Sequence, residues 1–201
     1  MAPKLSRTPA ASLARNGHNL RTVVDRIVRT FDRATASDVE RGARWYGDAE
    51  AIAASLAPMA GSLEHAAAVI AHLSPRTSWA RNIAGATELV AGGPATYCLG
   101  ANRDGARRAL ASTDPLATLN GPKVSRFARN ILGDRDAVTV DVWAARVALG
   151  PRELDAEKVL TRAGVYDAIE HAYRLAAKRR GVDAATMQAT TWVVARNGRA
   201  D

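Results

Sequence analysis

Apolar side chains recur along most of this chain three and four positions apart, the period of a helix with one buried face. The first such stripe is Val23, Val24, Ile27, Val28 and Phe31, which predicts a helix beginning near Leu20. Ser37-Asp38-Val39-Glu40 has the Ser-x-x-Glu form of a capping box, and it predicts a second helix from Asp38 to Tyr46. Gly47-Asp48 is expected to stop that helix and to cap another, from Ala49 to Leu56, ending before Pro58. Leu63 to Leu73 and Ser78 to Ala91 follow, parted by Ser74-Pro75-Arg76-Thr77, and Gly92-Gly93-Pro94 breaks the chain again. Further helices are predicted near residues 103–111, 122–132, 142–149, 156–163, 166–180 and 184–197. Gly133, Gly150, Gly164 and Gly181 stand just past predicted helix ends, where a left-handed cap favours glycine. Only Ala137 to Val140 reads as extended, too little for a sheet. The pattern predicts an all-α fold, a compact bundle of roughly ten helices. Residues 1–18 mix Pro, Ser, Arg and Gly and are expected to form a disordered basic arm before a single domain over 19–201.

Composition narrows the function classes. The apolar share of 47% suffices for a core, yet no stretch approaches the ~20 apolar residues of a membrane span. The N-terminus lacks the apolar core of a signal peptide, so a cytoplasmic setting, in a bacterium or a phage-infected host, is expected. Cys98 is the single cysteine, which excludes an internal disulfide, a thiolate zinc site and a four-cysteine iron–sulfur cluster. His65 and His72 are two helical turns apart, too far to share a metal ion, and no protein-ligated catalytic metal is expected. The net charge is +8, and residues 1–33 hold seven cations against Asp25 and Asp32. Such an arm attracts polyanions, nucleic acid first; its bland alternative is a solubilising tail.

The window from Leu119 to Gly150 carries the chemistry. Asn120-Gly121 forms a tight turn and Pro122 opens a helix, because proline suits the first helical position. The N–H groups of Gly121, Lys123 and Val124 then point outward and can hold a phosphate, with Arg126 and Arg129 adding charge on the next turns. Asp141 caps the following helix. Taken alone, an aspartate there is an ordinary N-cap worth about 1 kcal/mol, and Lys123 an ordinary surface charge.

These residues resemble the helix-hairpin-helix/GPD (endonuclease III-like) superfamily of DNA glycosylases. Gly121-Pro122-Lys123 resembles the Gly-x-Lys that ends the family's hairpin, and eighteen residues on, Asp141 falls where the family keeps its catalytic aspartate. Val140-Asp141-Val142-Trp143, with Arg146-Val147, resembles its Val-Asp-x-x-x-x-Arg-Val run. Upstream, Val69 to Ser78 resembles the family's buried helix and polar loop, which would make Arg76 or Thr77 the residue that wedges into DNA. There are departures. Leu119 replaces the hairpin's first glycine, the step from Arg76 to Asp141 is short, and no cluster-binding cysteines follow Gly150. Segments around Tyr166–Tyr173 and Gln188–Trp192 resemble small phage-encoded relatives.

The resemblance implies a DNA-acting enzyme that flips a modified or damaged base from the duplex and cleaves its N-glycosidic bond. Asp141 would stabilise positive charge on the sugar, and Lys123, if uncharged, could attack the sugar carbon as an AP lyase. Trp45, Tyr46 and Trp79 would form the base pocket, while Trp143 reads as packed. No cofactor is required; the resemblance leaves room for a monovalent cation on hairpin carbonyls. Two alternatives stand beside it: a phage-type transferase that hypermodifies thymine-type bases by displacing pyrophosphate, and a non-catalytic DNA-binding module.

Overall fold

The computed structural model describes residues 8–150 and 155–196. Among them it is all-helical: α1 (Pro9–Ala14), α2 (Leu20–Phe31), α3 (Ala36–Ala60), α4 (Leu63–Leu73), α5 (Trp79–Val90), α6 (Gly100–Leu110), a 3-10 turn (Leu116–Thr118), α7 (Pro122–Ile131), α8 (Val142–Leu149), α9 (Ala156–Leu160), α10 (Val165–Arg180) and α11 (Ala184–Ala195). No helix among the described residues is long and apolar enough to cross a membrane. The described residues group into two compact units. One is drawn from residues up to Arg44 and from Arg135 onward, the other from Trp45 to Asp134.

In the first unit α10 is the hub, packed on α1, α2 and α11, while α8 packs on α2 and α11. Val23, Val24 and Ile27 of α2 meet Ile169 and Tyr173 of α10 in the core, as the α2 stripe predicted. The expected disordered arm is corrected over its described part. Thr8 caps α1 through its side chain, and Leu13 is wholly buried in the same core. Burying that leucine contributes roughly 2 kcal/mol, enough to order a short helix that composition reads as polar. Residues 1–7 of the arm lie outside the described residues.

The second unit is built on α4, whose residues from Ala66 to Leu73 are all buried beneath α5, α6, α7 and the 3-10 turn. Its small residues let three helices approach one axis closely.

The predicted break at Gly47 does not occur, and α3 runs unbroken from Ala36 to Ala60. The reason is the apolar stripe. Tyr46, Ala49, Ala53, Leu56 and Ala60 are all buried, so one helical face crosses Gly47 and Pro58 without interruption. Gly47 costs that helix only about 1 kcal/mol against alanine, and Pro58 sits in its last turn. The cap also moves. Thr35, not Ser37, opens α3, with Thr35 Oγ1 accepting from the Asp38 N–H (3.2 Å) and Asp38 Oδ2 accepting from the Thr35 N–H (3.0 Å).

Two glycines of α3 make a test of this packing. A Cβ on Gly42 would lie 2.6 Å from backbone atoms of Thr190, whereas one on Gly47 would meet nothing within 4 Å. Gly42→Ala is expected to cost about 1–3 kcal/mol by overpacking, and Gly47→Ala to stabilise by up to about 1 kcal/mol. Thermal melts of the two variants should therefore shift in opposite directions.

Candidate functional site

Residues Ala137 to Val140, expected to be extended, lie outside the helices and are buried, and the described residues include no strand for them to pair with. Their backbone groups go instead to side chains of α10. The Tyr166 hydroxyl donates to the Val138 carbonyl (3.1 Å) and accepts from the Val140 N–H (2.9 Å). Glu170 Oε1 accepts from the Val138 N–H at 3.4 Å, and Arg174 pairs with Glu170 while donating from Nε to the Asp136 carbonyl. The Arg135 carbonyl accepts from the Ala185 N–H at the start of α11. A buried segment outside the helices needs such partners, since each unpaired group would cost about 1–3 kcal/mol.

This tethered segment delivers Asp141 to the head of α8. Oδ1 accepts from the Ala144 N–H at 2.8 Å and Oδ2 from the Trp192 indole Nε1–H at 2.9 Å. The N-cap reading is therefore correct as far as it goes, and a second donor from α11 fixes the other oxygen. Trp192 in turn carries the Arg196 guanidinium 4.6 Å from its ring centroid. The result is a half-buried carboxylate in one orientation, each oxygen keeping a lone pair, at a helix end that favours negative charge. It can stabilise a developing positive charge or hold a donor.

The other sequence-predicted residues belong to the second unit. Gly121 has φ +90° and is the N-cap of α7 with Pro122 at its first position, so the tight turn requires the glycine. Gly121 remains exposed, whereas the Val124 side chain is buried. The Lys123 amine donates to Ser74 Oγ (2.7 Å) and lies 5.7 Å from the Phe127 ring centroid. Ser74 passes its own proton to the Ala71 carbonyl, so its oxygen is the acceptor.

Lys123 is thus joined to the α4–α5 turn that carries Arg76 and Thr77. Pro75's carbonyl accepts there from Asn102 Nδ2 (3.0 Å) and Thr77 Oγ1 (3.2 Å), while Arg76 is exposed at φ +58°. A left-handed non-glycine costs on the order of 1–2 kcal/mol, and the pinned turn holds it.

Trp45, Tyr46 and Trp79 are brought together through a residue the sequence reading passed over, Phe127. Trp45 and Trp79 centroids are 5.3 Å apart, and Phe127 lies 6.2 Å from Trp79 and 6.4 Å from Tyr46. Trp45 and Trp79 stay half-exposed, while Tyr46 is buried. Of the two arginines assigned to phosphate, Arg129 is paired with Asp134 and Arg126 is half-exposed.

Two residues that matter gave no local signal: Ser74 meets Lys123 across forty-nine positions of sequence and Trp192 reaches Asp141 across fifty-one. Phe127 stands four positions from Lys123 on α7, a helical spacing the sequence does carry. Trp143, expected to be packed, is 39% exposed and is corrected here: α8 faces its core with Ala144, Ala145 and Ala148 instead.

Among the described residues no three His, Cys, Asp or Glu side chains gather as a metal site. Gly121's carbonyl accepts from both N and Oγ of Ser125, which occupies its two lone pairs and removes it from those a monovalent cation could use.

His72 supports the 3-10 turn that precedes Asn120–Gly121. Thr118 gives its hydroxyl proton to the Pro115 carbonyl, so His72 Nε2 must be the donor in its 3.0 Å contact with Thr118 Oγ1. Gly105 of α6 allows this close approach, since a Cβ there would stand 2.4 Å from His72 Nδ1. Burial holds the imidazole's pKa below the usual value of about 6.5, and Arg108 pushes the same way. The folded state therefore resists a proton that the unfolded chain accepts. Stability should be full above about pH 6.5 and fall as the pH drops below it. Urea unfolding at pH 7.5 and 5.5 checks this: the midpoint should fall with acid, and fall less in His72→Gln.

Comparison with known proteins returns one assignment. No curated protein and no solved structure matches the chain. A family model described as "Family of unknown function (DUF7178)" matches residues 10–199. The chain therefore belongs to that family.

Proposed function

We propose that this protein is a DNA-acting enzyme that extrudes a modified or damaged base from the duplex and cleaves its N-glycosidic bond, with a hairpin at Asn120–Lys123 gripping the phosphates as in a helix-hairpin-helix/GPD enzyme. The observation that carries the reading is Asp141. Breaking the bond makes the sugar carbon cationic, and a carboxylate already held at both oxygens stabilises that charge without reorganising. Extrusion costs roughly a few kcal/mol, and an inserted Arg76 with stacking on Trp45 or Trp79 offsets part of it.

The contact of the Lys123 amine with Ser74 Oγ supports an anchoring role. A lyase nucleophile must be free to reach the sugar carbon, and this amine is engaged with Ser74 Oγ. The monofunctional glycosylase is therefore favoured over the AP lyase.

Duplexes carrying oxidised, alkylated or hydroxymethylated bases provide the test. Wild-type protein should release one class of base, and Asp141→Asn, which keeps a good N-cap residue, should slow release about 10²-fold or more. Borohydride should trap no adduct; an adduct lost in Lys123→Ala would establish the lyase instead. Pyrophosphate release from a pyrophosphorylated base would replace this reading with the transferase. Salt-sensitive binding without any product, unchanged in Asp141→Asn, would leave only the binding module.

A further inference from the structure

The apolar face of α8 is complete without its tryptophan. Ala144, Ala145, Ala148 and Leu149 fill the core of the first unit, and Val142 and Val147 pack at its margin. Trp143 is 39% exposed, the other three tryptophans less so, and it takes no part in that core. One turn on, the Arg146 guanidinium lies 5.2 Å from the Trp143 ring centroid. Arg146 is exposed and has no carboxylate partner among the described residues, whereas Arg174, Arg179 and Arg180 of the same unit pair with Glu170, Asp25 and Asp32. An exposed indole bearing an unneutralised cation thus sits in the first two turns of the helix that Asp141 caps.

An exposed indole with a guanidinium over its ring suits a ligand with an aromatic plane and an adjacent anion, which in chemical terms is a nucleotide. A purely apolar partner would leave the arginine charge desolvated and unpaired. A carboxylate-bearing partner would satisfy the arginine but not the ring. The chain's net charge of +8 also favours a polyanion.

We propose that Trp143 and Arg146 form a nucleotide subsite: the indole stacks on an unpaired base of the bound strand, and the guanidinium holds that nucleotide's phosphate. The proposal rests on the DNA-acting reading above and names a second contact for the strand, outside the reacting sugar. Because Trp143 is exposed, its replacement should leave the fold intact.

Binding of a fluorescein-labelled, single-stranded thymidine oligonucleotide to the full chain, followed by anisotropy, tests it. Trp143→Ala should weaken binding about 10-fold, and Trp143→Phe should recover most of that loss because a phenyl ring still stacks. Arg146→Gln should lower the slope of log affinity against log salt by about 1. If wild type binds the strand and releases base while Trp143→Ala binds as tightly, the subsite is wrong and the enzymatic reading stands. If wild type binds no oligonucleotide yet releases base from a duplex, the subsite falls and the enzymatic reading stands; if it does neither, both fall. Thymidine monophosphate binding as tightly as the oligonucleotide, and lost in Trp143→Ala, would overturn the strand in favour of a free nucleotide. A Trp143-dependent dimer in sedimentation would overturn it in favour of a second copy of the chain.

Discussion

A carboxylate can serve as a fixed electrostatic element only if something other than water decides where its oxygens point, and that constraint governs the first unit. The Asp141 side chain has one oxygen committed to the α8 backbone and the other to the Trp192 indole. Both anchors depend on further structure. α8 is held by the Tyr173 hydroxyl, which donates to the Ala144 carbonyl (3.1 Å), and the segment leading into Asp141 is held by Tyr166 and Glu170. α10 supplies all three of those side chains, so the position of the candidate catalytic group is set by the most heavily packed helix of its unit. Charge-assisted hydrogen bonds of this kind contribute about 1.5–3 kcal/mol where they are shielded and less where water competes. Their larger consequence is orientation, which is what electrostatic stabilisation of a short-lived cation requires.

The second unit keeps Trp45 and Trp79 half-exposed over buried Tyr46 and Phe127, with cations beside them at the surface. α4 is buried from Ala66 to Leu73, while the Ser74–Thr77 turn and the head of α7 remain at the surface. The turn is stiffened by hydrogen bonds to the Pro75 carbonyl and tied to α7 by the Lys123–Ser74 bond. His72, donating to Thr118, fixes the 3-10 turn that precedes α7. Phosphate recognition of the proposed kind gains from such rigidity, because a preorganised donor gives up less conformational freedom on binding.

Much of the fold was legible because helical periodicity is a local property. The stripe from Val23 to Phe31, the apolar run of α4 and the Asp141 cap of α8 all appear where the pattern put them. The failures share a cause. Gly47 and Pro58 look like punctuation when read locally, but the buried stripe from Tyr46 to Ala60 outweighs them. The order of α1 rests on Leu13, buried in the core of the first unit, and α1 packs chiefly on α10, more than a hundred residues away. The candidate site divides the same way. Residue types and spacings in the Leu119–Gly150 window singled out Lys123 and Asp141, but not their partners Ser74 and Trp192, because hydrogen bonds over forty-nine and fifty-one positions leave no periodic trace. Trp143 was misread because an apolar neighbourhood in sequence (Val142, Ala144, Ala145) is not one in space when the residues lie on different faces of a helix.

Hydrogen exchange at the four indole N–H groups, followed by nitrogen-15 NMR, addresses the Asp141–Trp192 bond directly, with each resonance assigned by a single Trp→Phe replacement. The bond requires the Trp192 indole proton to exchange more slowly than that of the exposed Trp143. It further requires that protection to vanish in Asp141→Ala while the exchange at Trp45 and Trp79 stays as it was. A Trp192 proton that exchanges as fast as Trp143's in the unaltered protein, or that is indifferent to the loss of Asp141, would contradict a carboxylate held in place at the head of α8.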